Sequence, residues 1–155
     1  MTMSTIRWNV QTFDEFKAAQ LFDVLHLRVN VFVVEQQCAY PELDDYDRHV
    51  DTKHVQGHDE NGNLVAYARL LPAGLSFPEV SIGRFVVQKG RRGQGIGHQL
   101  LRTSLEMIAQ CWSGRSIKIS AQEYLKNFYA PYGFIQVSDM YLDAGVPHVD
   151  MLKKS

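Results

Sequence analysis

Residues 91–97 combine arginines with alternating glycines and have the composition of an anion-binding loop. They read Arg-Arg-Gly-Gln-Gly-Ile-Gly, and Lys89 adds a positive charge just before them. A strand pattern precedes the segment and a helix pattern follows it, so free backbone N–H groups and the helix dipole should face an anion. The glycines let the backbone approach a phosphate closely. The alternative is a tight strand-to-helix turn that binds nothing.

The spacing of the glycines distinguishes three classes of phosphate ligand. A dinucleotide fingerprint, G-x-G-x-x-G/A, begins at Gly93 and Gly95 but needs a small residue where His98 stands. A nucleotide P-loop needs Gly-Lys-Ser/Thr, which the sequence lacks. The pattern Arg92-x-x-Gly95-x-Gly97 resembles instead the pyrophosphate-binding signature of the GNAT acetyltransferases. This resemblance predicts a CoA ligand.

Composition and charge exclude several classes of function. The 155 residues carry 16 Lys+Arg against 17 Asp+Glu, a net charge of −1, which argues against a nucleic-acid binder. No apolar run approaches the ~20 residues that span a bilayer, and residues 1–10 lack the pattern of a signal peptide. We therefore expect a single soluble domain over residues 1–155, located in the cytoplasm, with no membrane or nucleic-acid partner.

The cysteines and histidines give no metal signature. Cys38 and Cys111 lie far apart without ligand spacing, and we expect two reduced and mostly buried thiols. His54 and His58 are four residues apart, but they belong to a strand pattern and no H-E-x-x-H helix exists. The sequence therefore predicts no metal site.

Hydrophobic periodicity predicts the order β, α, three strands, α, β, α, β, β. The expected strands are residues 5–10, 52–58, 64–71, 80–87, 116–120, 134–137 and 148–152. The expected helices begin at a capping box in residues 12–15, at about residue 95 and at residue 122. The end of the first helix is open, because apolar residues alternate from Leu25 to Val33. We place it near residues 28–31. An acidic loop covers residues 40–51.

Further segments resemble the ElaA-type branch of the GNAT superfamily and together cover essentially the whole chain. They are Leu27-Arg28, residues 31–36, Cys38, residues 66–70 and 82–84, Ala121-Gln122, Phe128-Tyr129, Gly133-Phe134 and Pro147-His148. Each motif is weak alone, but their number and order are specific. The resemblance implies an α/β (α+β) GNAT acyl-CoA N-acyltransferase fold, with a mixed central sheet of about six or seven strands flanked by about four helices.

The same resemblance assigns contacts to acetyl-CoA. The backbone of Phe85, Val86 and Val87 should meet the pantetheine amides, which requires that strand to be splayed from its neighbour. The diphosphate should bind the amides of Gly93, Gln94, Gly95, Ile96 and Gly97, with Arg91 and Arg92 nearby. Gln122 stands where many family members carry Asn, and its amide still reaches the cofactor or the backbone.

Tyr129, in Phe-Tyr-x-x-Tyr-Gly-Phe, matches the family tyrosine that protonates the departing thiolate. A phenol of pKa ~10 is protonated at neutral pH, and a thiol of pKa ~8.5 is a suitable acceptor. The alternative for Tyr129 is a core aromatic. The attacking amine needs a base, for which the candidates are His148 and Glu35. Either residue has a structural alternative, at a strand end or paired with Arg69 or Arg84.

The expected function is an acetyl-CoA-dependent N-acetyltransferase acting on a primary amine of a small molecule or peptide. Neither cysteine lies in a recognisable nucleophile setting, which favours direct attack in a ternary complex. The alternative is a non-catalytic acyl-CoA-binding or interaction module on the same fold. Family habit allows a homodimer, and the sequence does not determine the oligomeric state.

The two charge signs are segregated along the sequence. Residues 35–51 hold six acids and one base, and residues 84–102 hold five bases and no acid. We expect the basic block to meet the polyphosphate donor. The acidic block either attracts a cationic acceptor or is a solvated surface.

Overall fold

The computed structural model describes residues 5–155, which form an eight-stranded β-sheet with helices on both faces. The strands are β1 (Arg7–Gln11), β2 (Lys53–His58), β3 (Leu64–Leu71), β4 (Val80–Val87), β5 (Ile117–Gln122), β6 (Ile135–Gln136), β7 (Tyr141–Asp143) and β8 (Val146–Lys153). The α-helices are α1 (Ala18–Val29), α2 (Ile96–Cys111) and α3 (Lys126–Tyr129). Residues 1–4, the start of the segment searched for a signal peptide, lie outside the described part.

The sheet is mixed, because β4 and β5 run parallel while the other described pairs are antiparallel. The strands follow the order β1-β2-β3-β4-β5-β8-β6, and β7 also pairs with β8. The prediction of a mixed sheet flanked by helices is confirmed, but residues 5–155 form eight strands where about six or seven were expected and three α-helices where about four were expected. The sequence did not predict β7, because Tyr141–Asp143 is only three residues long and shows no clear alternation.

Helix α1 ends at Val29, inside the predicted window, and continues as a π-helical turn (Asn30–Glu35). The alternating apolar residues therefore belong to a helical segment, which buries Val24, Leu27, Val31 and Phe32. The predicted capping box does not open α1. It opens a short 3-10 turn before α1, where the Glu15 carboxylate accepts a hydrogen bond of 2.9 Å from the Thr12 N–H.

Two hydrophobic layers cover opposite faces of β3, because successive side chains of a strand point to opposite sides. Ala66, Ala68 and Leu70 share one cluster with the buried face of α2. Tyr67 points to the other side and packs with α1 and Val86.

Among residues 5–155, no helix is long and apolar enough to cross a bilayer. The single-domain extent of residues 1–155 stays a prediction.

Candidate active site

Strands β4 and β5 pair only at their amino-terminal ends and then diverge. The register joins Val80 to Ile117 and Ser81 to Lys118, and no later pair of these strands is formed in the described chain. Strand β5 continues instead along β8, up to the pair Gln122–His148. The second half of β4 therefore presents backbone N–H and C=O groups to a gap rather than to a neighbouring strand. This is the splayed arrangement that the sequence predicted for residues 85–87.

A β-bulge in β4 accompanies this divergence. The register against β3 shifts between Tyr67 and Arg69, and Arg84 adopts a left-handed backbone with φ of 49°. Bulges bend a strand and increase its twist. The Arg84 side chain is anchored on Glu42, with 2.5 Å between Nε and Oε1 and a 3.0 Å hydrogen bond to the Glu42 carbonyl. The bulge thus turns the carboxyl end of β4 away from β5.

A cavity of about 650 Å³ fills the gap between the two strands and extends to residues 91–97, which we call the glycine-rich loop. Its lining includes nearly all of the side chains that the sequence singled out for the site. They are Glu35, Phe85, Val86, Val87, Arg91, Arg92, Gly93, Gly95, Ile96, Gly97, Gln122, Tyr129 and His148. Gln94 is not among the lining residues, and its side-chain oxygen accepts a 3.2 Å hydrogen bond from Arg91.

The loop before α2 has the backbone expected of an anion site. Gly93 and Gly95 both have φ of 80°, a region that residues with a Cβ rarely adopt. Gly95 is the N-cap of α2, whose 16 residues align their peptide dipoles toward the loop. Arg91 forms an ion pair of 2.9 Å with Asp59, which fixes one side of the loop to the β2–β3 turn.

Tyr129 lies at the end of α3 with its ring buried and in contact with other aromatic rings. It packs edge-on against Phe85 of β4, and further edge contacts join it to Phe128 and Phe134. Burial raises the pKa of its hydroxyl, and no described residue hydrogen-bonds that hydroxyl. The phenol therefore stays protonated at neutral pH and can donate its hydrogen to a group in the cavity.

His148 has a defined tautomer. Its Nδ1 lies 2.7 Å from the carbonyl oxygen of Val146, which can only accept, so Nδ1 carries the hydrogen. The lone pair of the neutral ring is then on Nε2. Tyr141 stacks on the imidazole with 6.1 Å between ring centroids, and its hydroxyl donates to Asp150. The unpredicted strand β7 therefore orients one of the two predicted base candidates.

Glu35 does not pair with Arg69 or Arg84, the partners that the sequence suggested as its structural alternative. Its carboxylate meets the guanidinium of Arg92 in a bidentate pair, with oxygen–nitrogen distances of 2.6 and 3.1 Å. Arg92 also donates from Nε to the carbonyl of Val87 at 3.0 Å. A carboxylate held by both oxygens is poorly placed to accept a proton from an amine. This geometry weakens Glu35 as a general base.

Three arginines, of which Arg69 and Arg84 line the cavity and Arg28 is buried, are paired with the acidic loop. We call this group the arginine network; it consists of Arg28, Arg69 and Arg84 with Glu42, Asp44 and Asp47. Burial alone would raise the pKa of Asp47, but hydrogen bonds and charge from Arg28, together with Arg69, lower it to about 2. These acids balance internal arginines. The expectation that the acidic block is a solvated surface or attracts a cation is therefore wrong for Glu42, Asp44 and Asp47.

His54 and His58, the two histidines four residues apart, do not form a metal site. His54 is buried, donates from Nε2 to the Asp47 carbonyl at 3.0 Å and lies 2.6 Å from the Tyr67 hydroxyl. Residues four apart on a strand are about 13 Å apart, too far to share an ion with His58. No cluster of metal-ligating side chains occurs within residues 5–155.

Residues that sequence reasoning did not assign also line the cavity. Gln36 and Gln122 exchange two amide hydrogen bonds of 3.3 Å, and the Cys38 thiol contacts the carbonyl of Ala144 at 2.9 Å. Gln36 and Cys38 follow Glu35 closely in the sequence, but their partners lie 86 and 106 residues away. No local signal could have identified these contacts.

The comparisons with known proteins agree with this geometry. Residues 26–155 match the acetyltransferase (GNAT) domain family. The chain is 38% identical to the protein ElaA of Escherichia coli over 149 residues, covering 96% of this chain and 97% of that protein. The crystal structure of Escherichia coli ElaA superposes with a TM-score of 0.90, covering 97% of this chain and 100% of that chain.

A second similar structure is that of an acyl-CoA N-acyltransferase. An acyl-CoA N-acyltransferase from Pseudomonas aeruginosa is 37% identical and superposes with a TM-score of 0.91, over 96% of this chain and 99% of that chain. The family uses acyl-CoA donors and amine acceptors, which fits a cavity that joins a phosphate-binding loop to a buried phenol. The chain therefore belongs to the GNAT acetyltransferase family and is an acyltransferase.

Proposed function

We propose that this protein transfers the acetyl group of acetyl-CoA to a primary amine by direct attack in a ternary complex. The observation that carries the proposal is the continuous cavity between β4 and β5, which has Tyr129 in its wall and the glycine-rich loop at one end. A CoA molecule needs these three features together. It needs a strand edge for its amides, a donor near its sulfur and an anion site for its diphosphate.

The donor site is supported by backbone groups that are free to bind. Phe85 lies in the splayed half of β4 and offers its backbone groups to the pantetheine amides. Val86 instead pairs with Tyr67 of β3, because backbone groups of alternate residues in a strand face opposite neighbours. The backbone N–H groups from Gly93 through the first turn of α2 face the diphosphate. Arg92 adds a positive charge beside them. No added Cβ would meet a neighbour within 4 Å at Gly93 or Gly95, so the loop has open space for a phosphate.

Tyr129 is the proton donor of the proposed reaction. Attack of the amine on the thioester carbon gives a tetrahedral intermediate, and the C–S bond then breaks with the electron pair leaving on the CoA sulfur. A neutral hydroxyl stabilises this thiolate and protonates it. Burial keeps the phenol neutral over the whole working range of pH, since it raises the pKa of the group. The aromatic contacts with Phe85 and Phe128 fix the ring beside β4, where the thioester would lie.

His148 is the proposed base. An amine of pKa ~10.4 is mostly protonated at neutral pH and must lose a proton before it attacks. The Nε2 lone pair of His148 is available because Nδ1–H is held by Val146. Glu35 is the weaker candidate, because Arg92 engages both of its oxygens.

Direct attack is favoured over an acetyl-enzyme. Cys38 lines the cavity, but its sulfur contacts the carbonyl oxygen of Ala144, and a carbonyl stabilises the protonated thiol rather than the thiolate. Cys111 is exposed at the end of α2, so the expectation of a buried thiol is wrong for this residue, and it is not among the residues that line the cavity. Neither thiol is placed as a nucleophile.

The experiment measures release of free CoA, by a thiol reagent, when purified protein is mixed with acetyl-CoA and a panel of polyamines, amino acids, aminoglycosides and peptides. Amine-dependent release, with an acetylated product in the mass spectrum, supports the proposal. Binding of acetyl-CoA without release by any amine supports the non-catalytic module instead.

Tyr129→Phe then tests the mechanism. The substitution keeps the ring and removes the hydroxyl, so kcat should fall about 100-fold while the Kd for CoA stays within about twofold. Tyr132→Phe is the matched control, because that ring is three residues away and is not among the lining residues. Unchanged turnover in Tyr129→Phe removes the tyrosine from the chemistry.

A further inference from the structure

Residues 35–38 form a strap that crosses the cavity and is tied to the opposite wall at three successive points. Glu35 binds Arg92 of the glycine-rich loop, Gln36 binds Gln122 at the end of β5, and Cys38 contacts Ala144 in the turn between β7 and β8. Gln37 between them has φ of 52°, a left-handed conformation that turns the chain. The strap therefore joins the wall formed by α1 and the π-helical turn to the donor side of the cavity.

The first of these ties occupies the arginine that the proposed donor requires. Both terminal nitrogens of Arg92 face the Glu35 carboxylate, at 2.6 and 3.1 Å, which is the bidentate geometry that a phosphate would also use. Both side chains are partly exposed, Arg92 at 41% and Glu35 at 27%. An exposed pair is weak and screened by water, so an incoming anion can replace one partner.

We propose that Glu35 is a built-in competitor of the CoA diphosphate for Arg92 and thereby sets the affinity for the donor. The diphosphate takes Arg92, and Glu35 is released together with the neighbouring end of the strap. No covalent bond changes in this exchange. The proposal rests on the proposed donor site, and it gives Glu35 a role in cofactor binding rather than in proton transfer.

The charge balance determines the sign of the effect. With Glu35 in place, Arg92 is neutralised before CoA arrives, and the freed carboxylate afterwards remains close to a diphosphate of the same sign. Removing the charge of Glu35 should therefore tighten CoA binding. If Glu35 instead holds Arg92 in the orientation that a phosphate needs, removing the charge should weaken binding.

The test is a double-mutant cycle on CoA affinity, measured by titration calorimetry with CoA itself. Glu35→Gln should lower the Kd for CoA about fivefold, which corresponds to about 1 kcal/mol. Arg92→Met should weaken binding, and Glu35→Gln added to Arg92→Met should have a much smaller effect than it has alone, because the competition needs the guanidinium and only the repulsion between like charges remains. Glu106→Gln, an exposed acid along α2, is the control for net charge and should leave the Kd unchanged.

Two further variants keep the outcome unambiguous. Gln36→Ala cuts the second tie of the strap and leaves Arg92 paired; a gain in affinity as large as that of Glu35→Gln would assign the effect to loosening of the strap and overturn the competition. An unchanged or higher Kd in Glu35→Gln also overturns it. If the wild-type protein binds no CoA, the proposed function itself fails. This result is distinct from the two results, in Gln36→Ala and in Glu35→Gln, that overturn only the competition.

Discussion

The arginine network and the Arg92–Glu35 pair use the same chemical groups in opposite environments. The Arg28 and Glu42 side chains of the network are 1% and 2% exposed, whereas the Arg92 side chain is 41% exposed. Buried partners cannot exchange, because water is unavailable to either charge during separation. Exposed partners exchange readily. The network is therefore suited to hold the cavity wall in place, and the pair is suited to give way to a ligand.

The arginine network is a set of linked ion pairs that share their partners. Arg28 donates to Glu42 from Nε at 2.7 Å and to Asp47 from Nη1 at 2.7 Å, and its guanidinium lies 5.5 Å from the centre of the Tyr67 ring. Each acid also meets a second arginine, Arg84 or Arg69. The acidic loop is thereby fixed to the sheet, beside the cavity.

The largest expected effect is the loss of a buried partner. Arg28→Met leaves Glu42 and Asp47 buried with one arginine each, and the free energy of unfolding in urea should fall by about 3–5 kcal/mol. Arg48→Met is the control, because the Arg48–Asp45 pair is 68% and 88% exposed. Equal and small losses in both variants would show that burial does not distinguish the two kinds of ion pair.

The second effect is an acid sensitivity at the edge of the network. Burial, with minor contributions from Arg28 and Arg69, lowers the pKa of His54 to about 4, so the folded protein keeps this ring neutral where the unfolded chain protonates it. Stability should be lost as the pH falls from about 6.5 toward 4, by about 2.5 kcal/mol between pH 7 and pH 4.5. Urea midpoints at these pH values measure the effect.

His54→Gln is the matched variant for this titration. It should be less stable at pH 7 but should lose much less on acidification over the same range. Asp47, with its pKa lowered to about 2, contributes stability above pH 4 and loses it only between about pH 4 and pH 2, so the two windows do not overlap. An unaltered pH slope in His54→Gln would assign the acid sensitivity to another group.

The smallest expected effect concerns the exposed Arg92–Glu35 pair. Arg92→Met should raise the Kd for CoA about tenfold, because a charge-assisted phosphate contact is lost, and should leave the urea midpoint nearly unchanged. Arg115→Met, an exposed arginine outside the cavity lining, is the control for charge. A large loss of stability in Arg92→Met would place this pair with the buried network and would remove the contrast.

Much of the fold was predictable because its elements are long and periodic. The bounds expected for β3 and β4 coincide with those observed, and α2 begins one residue from the expected position. The backbone of the glycine-rich loop was predictable because glycine adopts the positive φ of Gly93 and Gly95 without strain, which local sequence controls. Strand β7 and the π-helical turn were not predicted, since a short strand and a locally underwound helix carry no distinctive period.

The partners of the charged residues could not be predicted from their order. Charge blocks in the sequence suggested one electrostatic surface for each substrate. In the structure, Asp44 and Asp47 approach Arg69, and Glu35 approaches Arg92, 57 residues away. Which opposite charge is nearest depends on how strands and loops pack, and this information is spread over the whole chain.

The sequence by itself determined the family, and it supplied the predictions of the anion-binding loop and of the tyrosine, because these features are local motifs whose chemistry follows from residue type and spacing. Only the tertiary structure decided which side chains face one another across the cavity. It paired the acidic loop with buried arginines, fixed the tautomer of His148 through Val146 and set Glu35 against Arg92. Contacts between distant segments arise when packing of the core brings them together, and no local pattern encodes them.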